Sequence, residues 1–60
     1  MYIIVKTKNG RREFVTLRGK LSTEFPEAWK FADETKAMRE MIRLYPMGSH
    51  DWEKYRVEEA

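Results

Sequence analysis

Lys8-Asn9-Gly10-Arg11 decides the fold of this chain. Asn-Gly between two apolar-patterned runs is the strongest short-range signal for a β-hairpin, because a type I′ turn needs positive φ at both central positions. Reversal there pairs Met1–Lys8 with Arg12–Leu17. Val5 then faces Phe14 and Ile3 faces Thr16 on one side. On the other side Ile4 faces Val15, Tyr2 faces Leu17, and Lys6 faces Glu13 as an opposite-charge pair. The Tyr2/Ile4/Val15/Leu17 side is the richer in apolar residues and is assigned to the core. A slip of one residue would exchange the two sides, so this assignment rests on the turn.

Beyond the hairpin, Arg18-Gly19-Lys20 ends the second strand. Pro26 suits a first helical turn, and Pro26–Phe31 reads as a short helical turn with Ala28 and Phe31 inward. Asp33 is a good N-cap, and Glu34 adds favourable charge beside it. Ala37, Met38, Met41, Ile42 and Tyr45 recur at helical spacing, opposite Lys36, Arg39, Glu40 and Arg43. The predicted helix covers residues 33–44 and stops before Pro46. Trp52–Val57 reads as a strand, with Tyr55 and Val57 on one side and Trp52, Lys54 and Arg56 on the other. Glu58-Glu59-Ala60 reads as a frayed end. The expected fold is α+β: a three-stranded antiparallel sheet of order 2-1-3 (ββαβ), with one helix on one face. Residues 1–60 form one domain.

Sixty residues bury only about 60% of the surface their unfolded chain exposes, which leaves little room for both a core and a deep pocket. An enzyme is therefore not expected, and no catalytic residue, cofactor or metal site is assigned. Ser49-His50-Asp51 has triad residue types, but neighbours in sequence point apart and do not build a relay. His50 has only Asp51 nearby where zinc wants three or four ligands. The glycines stand alone and form no phosphate loop. Cys is absent, as in a reducing cytosol, and there is no signal-peptide pattern or apolar run of membrane length. Met1 leads straight into a strand, the start expected of a complete chain. These features together predict a cytoplasmic protein with no membrane partner.

Charge is unevenly placed. Residues 1–20 carry six bases against Glu13 alone, a balance of +5, and residues 21–60 carry six bases against nine acids, a balance of −3. A basic ribbon of this kind steers an anionic partner or simply meets solvent. Lys8, Arg11, Arg12, Arg18 and Lys20 are the candidate nucleic-acid contacts, since a two-stranded ribbon fits a major groove and bases neutralise phosphates. Ile3, Val5 and Phe14, joined by Trp52, are the candidate protein-binding face, because the helix covers only the other side of the sheet. The alternative is that Leu21–Phe31 folds over this face and buries it. A homodimer through the same face is a further expectation.

The stretches MYIIVKTKNGRREFVTL, EAWKFADETKAMREMI and WEKYRVEEA together resemble very small phage and prophage proteins of ββαβ architecture. The shared features are the N-terminal hairpin, an Ala-x-x-Phe turn (Ala28 and Phe31), a short helix with an inward Ala (Ala37), and a closing strand. The resemblance implies action by binding, in the bacterial host cytoplasm, as an inhibitor of a host protein such as a CRISPR or other defence effector. It transfers no functional residues. The charge balance departs from that of the strongly acidic DNA mimics among such inhibitors.

Overall fold

In a computed structural model, which describes residues 1–60, the chain reverses where the Asn-Gly pair demands. Asn9 and Gly10 have φ of 52° and 78°. They join β1 (Tyr2–Lys8) to β2 (Arg11–Val15) in the register Val5↔Phe14, Lys6↔Glu13, Thr7↔Arg12, Lys8↔Arg11. A second reversal at Gly19, φ 77°, brings β3 (Leu21–Ser22) back along β2, with Phe14 opposite Ser22. The helix α1 (Glu34–Leu44) follows, and then β4 (Tyr55–Glu59) lies antiparallel along β1. The sheet is antiparallel with order β3-β2-β1-β4. The expected neighbours 2-1-last are retained, and the three-stranded expectation is corrected to four by the short edge strand after Gly19.

β1 is central, so both of its faces need cover. On one face Ile4 and Val15 pack with Phe31 and Ala37, flanked by Met41, Leu44, Tyr45, Tyr55 and Val57. On the other, Ile3 and Val5 pack with Ala28 and Phe14. The segment after β3 supplies cover to both. It makes a 3-10 turn at Phe25–Glu27 and then runs extended, bridging Ala28 to Thr16 and Phe31 to Tyr2. In extended backbone, residues three apart point to opposite faces. Ala28 and Phe31 are therefore both inward, as expected, but on opposite sides of the sheet and not on one helical turn.

Several expectations are revised by these paths. Leu17 is 70% exposed, because β2 ends at Val15 and the chain turns through 16–19 before Leu17 can oppose Tyr2. Asp33 caps α1 as expected, its Oδ1 accepting the Thr35 N–H at 3.0 Å. The buried stripe of α1, however, is Ala37, Met41, Leu44 and Tyr45, leaving Met38 42% and Ile42 57% exposed. Those two side chains lie one step further round the helix than the stripe that meets the sheet. Trp52 lies in a 3-10 turn (Trp52–Lys54) and not in the strand. The expected fraying at Glu58-Glu59-Ala60 is replaced by pairing: Glu58 opposes Ile3, Glu59 opposes Tyr2, and the Ala60 N–H donates to the Met1 carbonyl at 2.7 Å. No helix is long and apolar enough to cross a membrane.

Candidate protein-docking surface

Phe14 is the outermost large side chain on the Ile3/Val5 face, and alone it would lie open to water. The sequence covers it with Phe25, which the 3-10 turn sets edge-on to it, ring centroids 5.6 Å apart at 83°. Such T-shaped pairs are favoured by the ring quadrupole. Phe25 remains 45% exposed, so the pair shields the core while presenting an aromatic edge to solvent. Lys30 holds the turn: its Nζ donates to the carbonyl of Ala28 at 3.1 Å and lies 5.0 Å from the Phe25 ring centroid. On the other flank the Arg12 guanidinium lies 5.9 Å from the Phe14 centroid and pairs with Glu58 across β1. Cations over aromatic faces are attracted by the ring quadrupole, and each stem adds apolar cover.

At the β3 edge the 16–22 turn makes a shallow hollow of about 380 Å³. Leu17 and Leu21 line it, with Arg18, Lys20 and Glu27. The Gly19 reversal fixes its shape, through the Thr16 N–H bonded to the Lys20 carbonyl at 2.8 Å. Neither Arg18 nor Lys20 has an acidic partner, while Glu27 accepts the Ser22 hydroxyl. The β3 edge therefore carries exposed aromatic and aliphatic surface ringed by unpaired positive charge.

The expected protein-binding quartet does not form one surface. Ile3 and Val5 are buried beneath Ala28 and Phe14, so they are core. Trp52 lies on the helix side, in an open groove of about 330 Å³ with Met41, Ile42, Tyr45, Met47 and Tyr55. Phe14 alone keeps its expected place. The candidate nucleic-acid contacts are also divided. Lys8 and Arg11 flank the Asn-Gly turn, Arg18 and Lys20 lie at the far end of β2, and Arg12 is engaged by Glu58. Sequence reasoning missed Phe25 and Lys30. The available signal was Phe14 itself: a large apolar residue on the face without a helix needs a partner from elsewhere in the chain.

A second polar cluster sits below the helix C-terminus. Asp51, in the left-handed region at φ 60°, turns its carboxylate towards three basic side chains. Lys6 lies at 3.4 Å, Lys54 at 3.3 Å and His50 at 3.2 Å. Burial pushes this carboxyl up, but hydrogen bonds from Lys54 and Lys6 and the His50 and Lys54 charges outweigh it and hold the group below its ordinary range. Next to it Tyr45 and Tyr55 stack, centroids 3.6 Å apart at 12°. Burial, and then the neighbouring Tyr55, push the Tyr45 phenol up to about 12. Tyr55 is also raised, chiefly by burial, against a hydrogen bond from Tyr45 that lowers it. Ser49 donates its hydroxyl to the Pro46 carbonyl at 2.6 Å, away from His50, so residues 49–51 form a tied loop and not a nucleophile relay.

The chain matches no protein-family model, no curated protein and no solved structure.

Proposed function

We propose that the protein is a non-catalytic binding module that engages a protein partner through its β3 edge. The observation that carries this reading is the exposed apolar surface of the β3 edge, with the half-exposed Phe14–Phe25 pair on one face, Leu21 on the other and Leu17 in the turn, together with the unpaired Arg18, Lys20 and Lys30. Aromatic anchors with arginine at their margin are the composition of interface hot spots. The unpaired cations favour a partner with an acidic rim around an apolar centre. The resemblance to small phage proteins supports a sharper form: an inhibitor of a host protein such as a CRISPR or other defence effector. The test is affinity capture from bacterial lysate, with the captured protein identified and its binding remeasured in purified form. Phe25→Ser should abolish binding while the helical circular dichroism is unchanged. Equal binding by wild type and Phe25→Ser removes the reading.

Nucleic acid is the alternative partner. It is favoured by Lys8, Arg11, Arg18 and Lys20, none of which has an acidic side chain in contact. Phosphate binding by these residues would weaken steeply from low to moderate salt. Absence of any electrophoretic shift with DNA and RNA at low salt eliminates it.

A further inference from the structure

The β4 edge has the bonding pattern and the charge pattern of a strand that pairs with itself. The Ala60 N–H donates to the Met1 carbonyl directly opposite it, and bonding alternates along an antiparallel pair. Ile3 and Val5 therefore exchange bonds with Glu58 and Arg56, while Val57 and Glu59 turn their N–H and C=O groups outward. Tyr55 turns its C=O outward too, and its N–H is already used by the Trp52 carbonyl. No other backbone group of the chain bonds this outer edge. Unpaired edges of this kind are templates for another strand.

We propose that β4 pairs antiparallel with β4 of a second copy about a two-fold axis at Val57. In this register each Val57 exchanges both backbone bonds with its counterpart, and each Glu59 N–H meets the Tyr55 carbonyl of the other copy. The Val57 N–H and C=O, the Glu59 N–H and the Tyr55 C=O are satisfied in this way without a change inside either copy, while the Glu59 C=O stays open to water because the Tyr55 N–H is held by Trp52. Charge selects the register. Centred on Val57, Arg56 of each copy stands opposite Glu58 of the other, giving two opposite-charge cross-strand pairs. Moving the axis to residue 56 sets two arginines face to face, and moving it to residue 58 sets two glutamates face to face. Registers with the axis between residues would face outward groups with inward ones and form no ladder. Glu58 already pairs with Arg12 on the same face, so the second copy's Arg56 would complete an Arg-Glu-Arg row.

The helix fits the same axis. α1 packs over β1 and β4. Its exposed flank of Met38 and Ile42 lies on the Trp52/Tyr55 side, away from the flank of Lys36 and Glu40 that lines the hollow beside Trp29. With strands about 4.8 Å apart, two helices each centred between β1 and β4 come to about 10 Å from one another, the separation of packed helices. Antiparallel across the axis, Met38 of one copy meets Ile42 of the other. The dimer thus covers the two largest apolar side chains that α1 leaves in water. It uses the sheet edge opposite the proposed partner surface and stands independently of that reading.

Sedimentation equilibrium tests it directly. Wild-type protein at up to millimolar concentration should show twice the 7.3 kDa chain mass. Arg56 is exposed and makes no ion pair, so Arg56→Glu keeps the fold and should weaken association about tenfold by setting like charges opposite one another. Glu58→Arg should do the same, and an equimolar mixture of the two variants should recover association, because each then carries the charges the other lacks. If Glu58→Arg unfolds through loss of its Arg12 contact, Met38→Glu provides the second arm and must also weaken association. A chain that stays at 7.3 kDa at millimolar concentration overturns the proposal, as does a dimer indifferent to Arg56→Glu.

Discussion

The Lys6 ammonium lies 3.4 Å from the Asp51 carboxylate, although the strand register sets Lys6 opposite Glu13. Its stem is buried, and its head also lies 5.4 Å from the Tyr55 ring. A nearly buried ammonium that loses its counter-charge is more costly than one replaced outright by an apolar side chain. Asp51→Asn, which still tolerates positive φ, should lower the denaturant midpoint. Adding Lys6→Met to that variant should recover part of the loss. A double-mutant cycle by urea unfolding measures the coupling, and strict additivity would show that the two groups do not support each other.

The same carboxylate gives the protein an acid limit. Its folded value lies below the ordinary 3.8, so on acidification the unfolded chain takes up the proton first. The stabilisation is complete above 3.8 and is lost as pH falls through the folded value. Asp51→Asn should flatten that part of the profile of thermal midpoint against pH.

At the alkaline end the Tyr45 phenol is held neutral, up to about 12 against an ordinary 10.0. The unfolded chain therefore loses its proton first as pH rises. Stability is fully present below 10.0 and declines as pH rises towards about 12. Tyr45→Phe keeps the stack and removes this titration, so its midpoint should fall less over that window. Ultraviolet titration of the native protein should show a late-ionising phenol that Tyr45→Phe removes.

Ile3→Ala should cost about 2–5 kcal/mol, since it empties space between Ala28 and Val5. A chain of this length has only about 3–9 kcal/mol in all, so that variant should be largely unfolded at moderate urea. Phe25→Ala, at the exposed rim, should leave the midpoint within about 1 kcal/mol. Reversed outcomes would mean that the 25–28 segment is the true core element on that face.

Gly10→Ala isolates the turn. A Cβ there would meet nothing within 4 Å, so any loss comes from backbone at φ 78°. About 1–2 kcal/mol is expected, measured by thermal unfolding.

The hairpin, its register, the Asp33 cap and the helix were legible because each is set by local chemistry: a positive-φ pair, a short carboxylate, a proline stop. What was not legible depends on meetings between distant segments. Whether Ile3 and Val5 face water depends on where Ala28 comes to rest, and a single Ala in a polar stretch does not announce that. Trp52 kept its place in the chain but changed surface, because three residues of 3-10 turn replaced the first half of the expected strand. Phe25 was overlooked since its role follows from a neighbour, Phe14, that only the sheet brings near. Asp51 was legible as loop chemistry and not as the counter-ion of a buried Lys6.

The strand in the middle of the sheet is the first to be made, and one of its flanks is filled by the last. During synthesis Tyr2–Lys8 can zip to Arg11–Val15 early, yet it waits with a vacant side until residues 55–59 leave the ribosome. A chain truncated before Tyr55 would leave β1 as an unpaired edge of the sheet, its outward N–H and C=O groups open to another strand.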